Sequence, residues 1–284
     1  MESIEIARAW VSHYRLKCFI KTSCPHVWGL LNQKAKRELP QGVRNFISGP
    51  YGNEGRRQLQ SADLRIATLI AQTSDAAVGA AYRRDLSGVA TEHQLAELLC
   101  ELSLTDALGS VSDARPALHP DTGNGKHCDF KLFIDGRELY GEVKRLADPW
   151  EGGARSITKS SPDSIPANTA RPRAMDLFSK LKAVDTQFPK GALNVLFIFH
   201  PSVWNSHVYI KQALFGDASG LGEFDEPLVH GDGLFALSKW REIAACAHSR
   251  VNTDGTISIV QIWRNPRAYL FLTDAERARL TAAR

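Results

Sequence analysis

The chain is poor in the signals that would settle its class quickly, and each gap removes a group of functions. Its five cysteines, Cys18, Cys24, Cys100, Cys128 and Cys246, are odd in number, widely scattered and without a C-x-x-C pair. That excludes a disulfide framework and a thiolate zinc site as the organising element. No stretch of eighteen or more apolar residues occurs, and the opening MESIEIARAW carries acids where a secretory leader would carry a basic end and an apolar run. A soluble, cytoplasmic protein is the expectation. The histidines His200, His207, His230 and His248 show no H-E-x-x-H spacing. The glycine-rich pieces Gly231-Asp232-Gly233 and GDASGLG lack the strand and helix placement of a phosphate-binding fingerprint. There is no internal repeat and no low-complexity tract.

What is present is ordinary globular material: 284 residues, 43% hydrophobic and 23% charged, enough for a sizeable core. The formal charge of +4 is mildly basic. It permits a nucleic-acid partner without requiring one, because steering depends on where charge sits.

The apolar spacing divides the chain in two. Residues 1–90 read as a helical N-terminal region, with helices expected over Ile4–Tyr14, His26–Ala35 and Gln58–Gln72. Residues 91–284 read as an α/β domain. Its first helix starts at Thr91, which can cap the helix while Gln94 returns the bond, and Leu95, Leu98, Leu99 and Leu102 form one stripe. Two alternating strands, HCDFKLFI and RELYGEVKRL, then flank Asp135-Gly136, a dipeptide suited to a type I′ hairpin turn. The polar segment 147–171 is long for an ordered connection and is expected to be mobile. A helix from Pro172 to Thr186 follows, with Leu177, Phe178, Leu181 and Val184 on one face. After it LNVLFIF (Leu193–Phe199) reads as a strand buried on both faces. TISIVQIW (Thr256–Trp263) is a further strand, and Thr273 with Glu276 opens a closing helix.

The hairpin carries the chemistry. With Asp135 and Gly136 as its turn, Ile134 faces Arg137, Leu132 faces Leu139, Lys131 faces Tyr140 and Asp129 faces Glu142. Opposed carboxylates repel unless a cation stands between them, and hard oxygen donors suit Mg²⁺ or Mn²⁺. Lys144, two residues beyond Glu142, returns to the same face one pleat along.

The pattern of Asp129 followed by Glu142-Val143-Lys144, within KHCDFKLFIDGRELYGEVKRL, resembles the PD-(D/E)XK superfamily of restriction enzymes, recombination nucleases and junction resolvases. Cys128 stands where the name-giving proline would. The resemblance covers about a hundred central residues and implies a restriction-endonuclease-like core of helix, hairpin, helix and strand. It implies metal-dependent hydrolysis of nucleic acid, DNA before RNA, leaving a 5′-phosphate. Asp129, Glu142 and the Val143 carbonyl would hold the metal, and Lys144 would orient or deprotonate a water. A homodimer that cuts both strands is compatible with this reading.

Other residues carry two readings each. Glu92 is the candidate further acid on the helix before the hairpin, against a solvated first-turn acid favourable to the helix dipole. Lys131 and Tyr140 could touch substrate or simply pair across the sheet. Arg145, Arg155, Lys159, Arg171 and Arg173 could bind phosphates or belong to a solvated loop. Two rivals stand beside the nuclease: a non-catalytic nucleic-acid-binding or protein-interaction module on the same fold, and an unrelated α/β protein in which the motif is accidental.

Overall fold

The computed structural model describes residues 2–49, 52–123, 125–145, 177–199, 206–216, 229, 231–252 and 256–283. The chain is α/β, with a mixed six-stranded sheet and about nine helices among those residues. It divides into two compact units, Met1–Ser110 with Thr253–Thr256, and Val111–Asn252 with Ile257–Arg284.

The first unit is helical: α1 (Glu2–Ser23), α2 (Pro25–Leu30), α3 (Gln33–Arg37), α4 (Gln41–Ser48), α5 (Gly52–Gln72), α6 (Asp75–Gly88) and α7 (Glu92–Gly109). Two buried acids tie it together. Asp63 of α5 accepts the Val27 N–H at 2.7 Å and meets His26 Nδ1 at 3.0 Å, which clamps the short α2 that could not stand alone. Asp106 of α7 pairs with Arg65 of α5 at 2.8 Å. The capping box at Thr91 and Gln94 forms as its spacing predicts. The expected division lay at residue 90; α7 instead groups with the helices before it, because it packs on α4 and α5.

The second unit is built on the strands β1 (Ala117–Leu118), β2 (Phe130–Ile134), β3 (Arg137–Arg145), β4 (Leu193–Phe199), β5 (Ile243–Val251) and β6 (Ile257–Arg264), which lie in that order across the sheet. β3, β4 and β5 run parallel to one another, and the outer pairings are antiparallel. All seven residues of β4 are buried, as its unbroken apolar run requires of a central strand. One face of the sheet is covered by residues 177–181, by α8 (Ser206–Phe215) and by the turns around Leu234 and Trp240. The first residues of the helix expected from Pro172, and the whole segment 147–171, lie outside the described residues.

β5 is the strand that periodicity misses. IAACAHSRV has few β-branched residues, yet its first seven residues are buried, since small side chains suit a strand enclosed between β4 and β6. α9 (Asp274–Ala282) closes the chain with the Thr273 and Glu276 capping box, and its buried Glu276 accepts from Arg137 at 2.9 Å. Buried Asn265, in the turn after β6, donates to Trp240 O at 2.9 Å and Ile243 O at 3.0 Å. Among the described residues no helix is long and apolar enough to cross a membrane.

Candidate metal centre

Asp135 and Gly136 adopt φ of 52° and 75°, the left-handed pair a type I′ turn demands. The turn fixes the ladder that the sequence predicts: Ile134 with Arg137, Leu132 with Leu139, and Lys131 with Tyr140. Lys131, Tyr140, Glu142 and Lys144 therefore share one face of the sheet, while Leu132, Leu139 and Val143 point to the other.

The ladder departs from regularity at the position that matters. It ends at Phe130 paired with Gly141, and the Asp129 N–H also donates to Gly141 O, at 3.1 Å. Two residues of one strand thus oppose one of the other, the hydrogen-bonding pattern of a β-bulge, which re-aims the extra side chain. Asp129 does not simply face Glu142 as the uniform register would have it. Its Oδ2 reaches past Glu142 and accepts the Val143 N–H at 2.6 Å. Asp129 consequently bonds to both sequence neighbours of Glu142.

Glu142 itself is 1% exposed, and Lys144 Nζ lies 2.6 Å from its Oε1. The Lys144 side chain remains 29% exposed, so the ammonium bridges a buried carboxylate and the solvent side. Both carboxylates act on the thiol of Cys128, which is pushed up to about 12 chiefly by burial, with Glu142 and then Asp129 adding to it. Two negative groups and one lysine therefore gather at one place, leaving an excess of negative charge.

On its other flank Asp129 meets β1. Ala117 pairs with Lys131 and Leu118 with Phe130; one residue further, the His119 N–H donates to Asp129 O at 2.9 Å. A nitrogen of the His119 ring and a carboxylate oxygen of Asp129 lie within 4.8 Å of each other. His119 takes a φ of 45°, uncommon for a residue other than glycine. Sequence reasoning passed over it because β1 has only two residues and shows no alternation. The available signal was the turn-rich stretch His119 to His127, closed by the Asp121–His127 bridge.

The remaining candidates fall as follows. Lys131 pairs with Glu138 at 3.0 Å, and the Tyr140 hydroxyl donates to the same carboxylate at 3.1 Å, which holds Glu138 below the usual carboxylate range. Both are thus engaged across the strands on the Glu142 face. Arg145 follows Lys144 and so takes the opposite face. Glu92 is exposed at the first turn of α7, whereas Glu101 further along is buried. α7 is enclosed along all of 98–108, so the leucine stripe did not mark a single inner face. Arg155, Lys159, Arg171, Arg173, His200 and His230 lie outside the described residues.

Comparison of the chain with protein-family models, with curated proteins and with solved structures finds no match.

Proposed function

We propose that the chain is a metal-dependent nuclease of the PD-(D/E)XK type, hydrolysing phosphodiester bonds in nucleic acid, with DNA as the first substrate to test. Under this proposal β2, β3 and β4, with the helical pieces around them, are a restriction-endonuclease-like core. The observation that carries the reading is Asp129 bonded to both neighbours of the buried Glu142, with Lys144 2.6 Å from that carboxylate.

The donor set fits a hard divalent ion. Asp129, Glu142 and the Val143 carbonyl offer oxygen, and one lysine does not balance two carboxylates. Mg²⁺ or Mn²⁺ held there would polarise a phosphate oxygen and lower the pKa of a coordinated water. Lys144 stands on the solvent side of Glu142, where its ammonium can orient that water, take part in its proton transfer and offset charge developing on the phosphate. The Val143 N–H fixes the Asp129 carboxylate, so its position does not depend on a mobile rotamer. Lys131 and Tyr140, on the same face, are proposed to meet the nucleic-acid backbone.

The test is incubation of the full chain with plasmid, single-stranded DNA and RNA, each with Mg²⁺, Mn²⁺ or EDTA. Cleavage that EDTA abolishes supports the proposal. Binding without cleavage under every metal would favour a non-catalytic nucleic-acid-binding module on the same fold.

A further inference from the structure

We infer that His119 is a protein ligand of the metal centre, supplying a nitrogen donor that makes the site prefer Mn²⁺ to Mg²⁺; the inference rests on the metal-site reading of Asp129 and Glu142. Three adjacent strands bring the donors into line. The β1–β2 register continues from Leu118 and Phe130 to His119 and Asp129, so both side chains rise on the same face. The β2–β3 hairpin brings Glu142 and Val143 to the other flank of Asp129. Asp129 is thus central, with imidazole on one side and carboxylate on the other.

The spacing suits coordination. A ring nitrogen and a carboxylate oxygen within 4.8 Å can bind one ion between them, because metal–nitrogen and metal–oxygen bonds near 2 Å allow ligand atoms about 3–4 Å apart after a small closure. The pairing is held through the backbone as well, since the His119 N–H donates to Asp129 O at 2.9 Å. Rotation of the imidazole is then the main freedom left to the site.

The chemistry of the donor set decides the ion. Mg²⁺ takes oxygen ligands almost exclusively and gives up water reluctantly, whereas imidazole suits first-row transition ions. Two carboxylates and a carbonyl alone would accept either. A histidine added to them weights the site toward Mn²⁺.

Pulsed electron paramagnetic resonance of Mn²⁺ on the full chain reads the ligand directly. The parent is expected to show ¹⁴N modulation from a bound imidazole. His119→Asn should lose it, because asparagine tolerates positive φ and keeps the fold but offers no ring nitrogen. Calorimetry should show the variant's Mn²⁺ affinity reduced on the order of ten- to a hundred-fold, at least the scale seen for groups that only support a ligand. Mg²⁺ affinity should change less. Mn²⁺ bound in the parent, weakened by Glu142→Gln yet without ¹⁴N modulation, overturns the role of His119 and leaves the carboxylate site standing. No Mn²⁺ binding in the parent, or binding indifferent to Glu142→Gln, overturns the whole site and this inference with it.

Discussion

The Lys144 ammonium lies 2.6 Å from the carboxylate of Glu142, a residue 1% exposed, and so one short ion pair links the interior of the sheet to the solvent side. Removing one partner of such a pair is costly, because the other is left as an uncompensated charge. Lys144→Ala should destabilise the metal-free protein by about 2–3 kcal/mol, below the cost of a fully buried pair because Lys144 is 29% exposed. Mn²⁺ replaces the missing cation. At about a hundred times its Kd the ion should return roughly 2.7 kcal/mol, and more of the loss should be recovered in Lys144→Ala than is gained by the parent. Urea titrations with EDTA and with Mn²⁺ measure both; equal metal stabilisation in the two proteins would contradict the shared-charge account.

Glu142→Gln keeps the shape of the site and removes one negative charge. Calorimetry should show Mn²⁺ and Mg²⁺ affinity reduced at least ten-fold, the minimum expected when a ligand rather than its support is lost. The metal-free melting temperature should stay within a few degrees of the parent's, since the amide can still accept from Lys144.

Gly141 is required by its neighbour across the hairpin. A Cβ there would lie 2.2 Å from the Phe130 ring, which itself packs against Phe197 with ring centres 5.6 Å apart. Gly141→Ala should cost about 1–3 kcal/mol as overpacking, and it should weaken metal binding because Gly141 O holds the Asp129 N–H. Adding Phe130→Leu should recover part of the loss. Strict additivity of the two changes in denaturant midpoint would refute the clash.

The hairpin turn is pinned from the far end of the chain. Arg279 pairs with Asp113 at 2.7 Å and with Asp135 at 2.8 Å. The Arg279 hydrogen bond first, and the Gly136 N–H after it, hold Asp113 below its ordinary value of 3.8. A depressed carboxylate contributes stability that is complete above the ordinary value and is lost as pH falls through the lower folded one. Stability of the parent should therefore drop through that acid range more steeply than that of Asp113→Asn, which lacks the increment at every pH. Parallel acid limbs in the two stability profiles would refute the assignment.

How much of this could be read from the residues depends on how local the cause is. Asp135-Gly136 sets its turn by backbone sterics alone, so the ladder from Lys131 to Tyr140 followed from sequence. The capping boxes at Thr91 and Thr273 are equally local, and both form. Asp129 was recognised as a site candidate, but its bulge was not, because it is set by a side chain capturing the Val143 N–H and no period encodes that. β5 escaped because Ala244, Ala245 and Ala247 fit between neighbouring strands that only the fold supplies. His119 escaped for the same reason, as its closeness to Asp129 is a property of strand pairing.

The most direct test is the single-turnover cleavage rate of the parent, Lys144→Ala and Lys144→Arg on whichever nucleic acid is cut, with Mn²⁺ saturating so that all three are folded and loaded. The account predicts a fall on the order of a hundred-fold or more in Lys144→Ala, the scale of losing a charge stabiliser or proton-transfer group. It predicts no rescue by Lys144→Arg, whose planar guanidinium neither fits the ammonium's place nor yields a proton. A Lys144→Ala rate within a few-fold of the parent would contradict it and remove this lysine from the chemistry.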